Sequence, residues 1–399
     1  MDKQPCQRAQ IDDMKVMIVL GSDCGLLAEA MYFLSDQKLR EQALLLLPAR
    51  LAGLNLDELD VATERYSSLN DIIELIDQNP PDIVFLCSGY LLVQQNLLPE
   101  SDFKRFIKYA QQKGCKVITS DPFAGIMSTA VISSAAGVSE IDPDKNYSQL
   151  EAYVLSLFID TYQSLKHLPH IYLWACDDIA PDYHSSLSYY NPKPLGCHKT
   201  LASQAILQSY LGDSFSKAYW LFTIGPEDYK IECEQLGLDR LVALTVEKIR
   251  WILDSGCHVV LIFPDEFLQS LQDVLPDLKG ISMFSYLPYE AFYTLNLNAE
   301  YTFYWNVTSA SAMIRILHGL PTFHFSIGHI GDSLPHVYEE VVRLFFSNCK
   351  PILIDQTKPF DLLTFKQLDE QASVNIAKIL KPLESLPTSE ALIARLRNG

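Results

Sequence analysis

The strongest constraint on this chain is a rhythm: strand-sized apolar runs alternate with amphipathic stretches of helical length, and the rhythm plays through twice. In the first half, Lys15–Leu20 (KVMIVL), Gln42–Leu47, Asp82–Cys87 (DIVFLC) and Cys115–Thr119 (CKVIT) read as buried strands. Helices are expected from the Gly21–Gly25 turn to about Ser35, over Leu69–Asn79 and over Phe103–Lys113. Runs of four to eight apolar residues without alternation suit strands covered on both faces, and helices between them make the sheet parallel. A further helix near Tyr147–Leu165 and a strand at Ile171–Trp174 follow. Residues 176–200, rich in Asp, Pro, Ser, Tyr and His, then show no clean period. Such a stretch is a linker or a functional loop.

The second half restarts the pattern. Ala218–Ile224 (AYWLFTI), His258–Phe263 (HVVLIF), Ile281–Ser285, Tyr301–Tyr304 (YTFY) and Thr322–Phe325 (TFHF) are the expected strands. Helices are expected over Leu201–Leu211, Leu238–Leu253, from about Ser309, and over Phe365–Arg397. The expected fold is therefore α/β, with two Rossmann-like domains facing across a cleft. Residues 1–200 form the first, 201–370 the second, and 371–399 a helical segment packing back on the first. The 399 residues suffice for two cores. No close sequence repeat relates the halves.

Charge narrows the partners. A formal net charge of −18 and the lack of any basic run argue against nucleic acid, whose binding needs dense Lys and Arg. A local pocket for a diphosphate stays compatible with it. The polar start, MDKQPCQRAQIDDMK, lacks the apolar core of a signal peptide, and runs such as Val16–Leu20 and Val259–Phe263 are too short to cross a bilayer. A cytoplasmic protein without stable membrane insertion is expected. Nine scattered cysteines, none in a CxxC pair, read as reduced and mostly buried, and no metal site is expected.

Three turns in Phe284–Pro321 carry the chemistry: Tyr286-Leu287-Pro288, then Trp305-Asn306-Val307-Thr308-Ser309, then Leu317-His318-Gly319-Leu320-Pro321. In this order the segment resembles the donor half of GT-B glycosyltransferases, especially plant-type UDP-sugar transferases and MurG-like enzymes. There a Leu-Pro turn precedes a short helix, a Gly-Trp-Asn-Ser stretch opens the next, and Gly-Val-Pro closes it. Phe303 and Tyr304 replace the family's residues before the Trp. The resemblance covers about forty residues closely and the rest of the chain only by layout.

It implies a metal-independent glycosyltransferase of hexosyltransferase type, inverting, with a nucleotide-diphosphate sugar such as a UDP-sugar as co-substrate and no cofactor. The base of the nucleotide would lie near Phe284, Tyr286 and Leu287. The diphosphate would rest on Asn306, Thr308 and Ser309, because a helix N-terminus offers backbone N–H groups and a favourable dipole. These residues would equally cap an ordinary helix. Gly225, at a strand tip, would let the backbone approach the phosphates, and Asp332 stands where the family puts an acid on the sugar hydroxyls. Ser333 replaces the Gln that follows it there.

In the first half, Gly21-Ser22-Asp23-Cys24-Gly25 is glycine-rich but is not GxGxxG, which rejects a dinucleotide fingerprint. Inverting GT-B enzymes keep their general base near this loop. Asp23 is the candidate, with Asp121 in Ser120-Asp121-Pro122 as the second; each could instead cap the helix that follows. The acceptor has no signature, though the acids and aromatics of Cys176–His198 (Asp177, Asp178, Asp182, His184, Tyr189, Tyr190) suit stacking and hydrogen bonding. Two other readings stay open: a UDP-sugar 2-epimerase, and a non-catalytic GT-B-like binding or scaffold protein.

Overall fold

The computed structural model describes residues 14–21, 24–49, 61–89, 92, 100–120, 164–165, 167–172, 187–189, 204–214, 216–275, 277–335, 338–339, 342 and 346–398. By contacts the chain divides into two compact units, 1–197 with 383–399, and 198–382.

The first unit is built on β1 (Val16–Leu20), β2 (Ala43–Pro48), β3 (Ala62–Tyr66), β4 (Ile83–Cys87), β5 (Lys116–Thr119), β6 (His170–Tyr172) and β7 (Leu187–Tyr189). These strands form one sheet in the order β3-β2-β1-β4-β5-β6-β7, with every pairing parallel. β1, β2 and β4 are buried at every position, as their unbroken apolar runs demand. β3 (ATERY) was not expected: it is an edge strand with only Tyr66 fully buried, so hydropathy does not mark it. β7 falls inside the stretch read as irregular.

Helices α1 (Cys24–Phe33), α2 (Gln37–Glu41), α3 (Leu69–Gln78) and α4 (Glu100–Gln112) supply the crossovers. α3 begins at a capping box, in which Ser68 and Asp71 each accept from the other's backbone N–H. The carboxyl of Asp71 is lowered, chiefly by its bond from the Ser67 amide.

The second unit carries β8 (Tyr219–Thr223), β9 (His258–Ile262), β10 (Ile281–Phe284), β11 (Tyr301–Tyr304) and β12 (Phe323–His324), all parallel, in the order β10-β9-β8-β11-β12. Its helices are α5 (Gln204–Leu211), α6 (Pro226–Leu236), α7 (Leu238–Asp254), α8 (Asp265–Val274), α9 (Tyr289–Asn298), α10 (Ala310–Leu317), α11 (His329–Ser333) and α12 (Leu362–Leu380). Side chains alternate across β8. Trp220 and Phe222 enter a core with Phe303, Phe323, Val246 and Ile249, while Tyr219 and Leu221 meet Leu207, Leu211 and Leu295 on the other face. Helices thus cover both faces, and the sheet is doubly wound.

The aromatic core is dense: Phe303 stacks on Phe222, on Phe325 and on Phe360 at 4.7, 5.4 and 5.4 Å between centroids. α12 joins this core through Phe365 and Ala372. The last helix, α13 (Ser389–Asn398), belongs to the first unit, where Arg397 pairs with Asp82 at 2.6 Å. Residues 371–382 therefore stay with the second unit.

Both sheets share the strand sequence third-second-first-fourth-fifth. The chain reverses its winding between the first strand and the fourth, at β1/β4 and at β8/β11. Loops leaving these two strands run to opposite sides of the sheet, and the crevice they leave is where doubly wound proteins bind ligands.

Candidate functional site

The β8/β11 reversal of the second unit opens a pocket of about 220 Å³. It lies at the C-terminal strand ends, lined by Thr223 to Pro226 after β8, by Phe263 and Pro264 after β9, and by Trp305, Asn306 and Ser309 after β11. Three helix N-termini reach it. α6 starts from Gly225, α8 from Pro264 and α10 from Ser309, and none has a hydrogen bond from a capping side chain. The first-turn N–H groups of a helix have no acceptor within it, so a pocket with three such ends is suited to negative charge. α6 and α8 offset this with acids in their first turns, Glu227 and Asp228, Asp265 and Glu266; α10 has none.

The floor is a polar network centred on Asp228, which is 6% exposed. Its carboxylate accepts from the His329 amide at 2.8 Å, from His329 Nδ1 at 2.8 Å and from Asn306 Nδ2 at 3.2 Å. Asn306 Oδ1 accepts in turn from the Thr308 amide at 2.8 Å and the Thr308 hydroxyl at 2.6 Å. Asn306 and Asp228 together thereby tie α6, the β11–α10 turn and the start of α11. Gly328 makes room for this: its φ is +87°, and a Cβ there would meet Asn306 Cγ at 2.5 Å. The bond its ring donates to Asp228 raises the pKa of His329 against the opposing effect of burial.

Behind the pocket a second chain of bonds runs from Trp305. Its Nε1 donates to Gln356 Oε1 at 3.1 Å, and Gln356 Nε2 donates to Glu232 Oε2 at 2.8 Å. Burial raises the carboxyl of Glu232, one turn beyond Asp228 on α6. Tyr304, also in the lining, donates its hydroxyl to Asn296 Oδ1 at 2.6 Å, and burial pushes its pKa up to about 12.

Of the residues singled out from sequence, Gly225, Asn306 and Ser309 line this pocket. Thr308 stands one bond away, through Asn306. Phe284 is half-buried at the end of β10, its ring against Tyr210 at 5.8 Å. Tyr286 is 52% exposed, whereas Leu287 is packed in the core with Ala291 and Leu295. Asp332 lies on α11, where burial raises its carboxyl and Gln235 lowers it. Asp23, Asp121, Asp177, Asp178, Asp182, His184 and Tyr190 lie outside the described residues.

Asp228, Pro264 and His329 were not singled out as site residues. Asp228 and His329 are 101 positions apart. The available signals, an acid in the first turn after a Gly-Pro start and a His after a glycine, are too common to point to a pair. Among the described residues, no His, Cys, Asp and Glu cluster is built to hold a metal, and no helix is long and apolar enough to cross a membrane.

No family model matches the sequence, and no curated protein is significantly similar to it. Solved structures do match over nearly the whole chain. Os79 from O. sativa in complex with UDP is 12% identical, with a TM-score of 0.58, over 96% of this chain and 99% of that one. UDP-GlcNAc 2-epimerase from Methanocaldococcus jannaschii is 14% identical, with a TM-score of 0.57, over 97% of this chain and 100% of that one. A putative UDP-N-acetylglucosamine 2-epimerase from Listeria monocytogenes is 13% identical, with a TM-score of 0.53, over 97% and 96%. What these proteins share with this chain is the fold, two Rossmann-like α/β domains of the GT-B kind.

Proposed function

We propose that this chain is an enzyme acting on a nucleotide-diphosphate sugar, and that it transfers the sugar to an acceptor without a metal. The observation that carries the reading is the convergence of three helix N-termini, none capped by a side chain, on one pocket at the β8/β11 reversal. The diphosphate rests at the start of α10, the one of the three with no acid in its first turn. A fixed dipole there stabilises charge that grows on the leaving diphosphate, which is the part a metal plays elsewhere. Os79 supports a transfer reaction, because one of its solved complexes holds UDP together with deoxynivalenol-3-glucoside. Asp23 or Asp121 removes the acceptor's proton. Phe284 and Tyr286 flank the base, and Asp332 meets the sugar hydroxyls.

A second reading is a UDP-sugar 2-epimerase, favoured by the match of the M. jannaschii enzyme over 97% of this chain and 100% of that one. It would use the same pocket for the same diphosphate. The two part on one experiment. The protein is incubated with UDP-sugars and dTDP-sugars, with no acceptor, and the products are resolved by chromatography. Slow release of the free nucleoside diphosphate supports transfer with water as a poor acceptor, and a C2 epimer of the intact donor supports epimerisation. Binding is checked alongside by melting temperature. A ligand at a hundred times its Kd stabilises by about 2.7 kcal/mol, a shift of roughly 5–10 °C for a unit of this size. No shift with any donor refutes both enzyme readings and leaves a binding or scaffold protein.

A further inference from the structure

Among the described residues lining the pocket there is no lysine or arginine, and the ionisable ones are Asp228 and Tyr304. Tyr304 is occupied with Asn296. Among these described residues an anionic diphosphate would thus meet one fixed carboxylate and no cation. His329 stands directly beside that carboxylate. Its amide and its Nδ1 both bond Asp228 Oδ1 at 2.8 Å, and its side chain is 37% exposed. Because a carboxylate only accepts, the proton lies on Nδ1, and the bond fixes the ring so that Nε2 is the edge left for another partner.

We infer that His329 is the cationic contact for the donor's diphosphate, and that Asp228 is a positioning residue that orients its ring. The inference rests on the donor-site reading above and names the residue that supplies positive charge to it. A doubly protonated imidazole gives the diphosphate one charge-assisted N–H donor. The Asp228–His329 pair is then neutral, so the carboxylate on the pocket floor no longer repels the ligand. The acids facing His329 act in the same direction: Asp228 and Glu227 from α6, and Asp332 from its own helix, all favour the protonated ring. Glu232, deeper on α6, faces Asp228 and Asp332.

The test measures the affinity of UDP-glucose and dTDP-glucose by calorimetry between pH 6 and 9. The diphosphate diester of these probes keeps a constant charge over that range. In the parent protein, affinity falls as pH rises through the pKa of His329, above its ordinary value. H329Q binds about tenfold more weakly at pH 6.5, the scale of one charge-assisted bond, and loses the pH dependence. D228N keeps His329 but shifts the midpoint to lower pH. The titration of the His329 ring, followed by NMR in the free protein and assigned by its absence in H329Q, must shift the same way.

If a donor binds and H329Q retains the parent's profile, this inference is overturned while the donor site stands. If neither probe binds although the His329 ring titrates high, the donor-site reading fails and takes the contact with it. Should D228N fail to fold, H329Q on its half-exposed ring still decides the matter.

Discussion

Arg315 offers the sharpest test of how the second unit is held together. Its guanidinium is fully buried with no carboxylate bonded to it among the described residues, and it caps the C-terminal end of α9. Nη1 donates to the carbonyls of Asn296 at 2.5 Å and Ala299 at 3.0 Å, and Nε donates to Pro321 O at 3.0 Å. A fourth approach, to Glu300 O at 3.5 Å, is too long to add much. A cation at a helix C-terminus also meets the negative end of the dipole. Arg315→Met keeps most of the aliphatic bulk and removes all three donors. Three charge-assisted bonds at about 1.5–3 kcal/mol each give a gross loss of roughly 4–9 kcal/mol. Sparing the guanidinium its own desolvation returns part of this, so the net loss is about 3–5 kcal/mol. Arg315→Lys, which keeps the charge but cannot reach three carbonyls at once, should lose about 2 kcal/mol. The assay is urea unfolding followed by tryptophan fluorescence, since Trp220, Trp251 and Trp305 all lie in the second unit. A loss below about 1 kcal/mol for Arg315→Met would refute the capping argument, because it would mean the orphaned carbonyls find other donors at no cost.

Three further outcomes follow from the same geometry. Gly328→Ala puts a Cβ against Asn306 in a backbone conformation that favours glycine, so about 2–3 kcal/mol of stability should go, together with donor affinity; an unchanged melting temperature contradicts it. Ser309→Asp adds an acid at the start of α10. It should stabilise the helix by about 0.3–1 kcal/mol yet weaken UDP-sugar binding, and equal affinity would remove the diphosphate from this helix. His324 is buried against Tyr304, and burial lowers its pKa to about 3. A folded pKa below the unfolded value means that its contribution is present above about pH 6.5 and lost as pH falls, by about 2 kcal/mol between pH 7.5 and 5. His324→Phe should flatten that part of the urea-midpoint profile, and a profile as steep as the parent's would count against it.

The strands were legible wherever burial on both faces left an unbroken apolar run, as in β1, β4 and β9. β3 was not, because an edge strand tolerates Thr, Glu and Arg at positions that a central strand would fill with aliphatics. α6 was missed too. Its PEDYKIECEQL buries two acids, Asp228 and Glu232, beside Tyr229, so the short apolar stripe of Tyr229, Cys233 and Leu236 is masked by charge on the same inner face. At the candidate site, Gly225, Asn306 and Ser309 could be picked out because strand-tip and helix-start residues follow local rules. The role of Asn306 could not. Its amide is turned onto Asp228 and Thr308, so it shapes the pocket floor with groups a sequence reading would have aimed at phosphate.

By itself, then, the sequence determined that this protein has two parallel, doubly wound sheets, because apolar periodicity and helix caps are local properties that act within a few residues of one chain segment. Only the tertiary structure decided that α6, α8 and α10 begin at one pocket, and that Asp228 meets His329 across 101 positions. The strand order does this: β11 pairs with β8 and not with its neighbour in sequence, β10, and brings together loops that the chain itself keeps far apart.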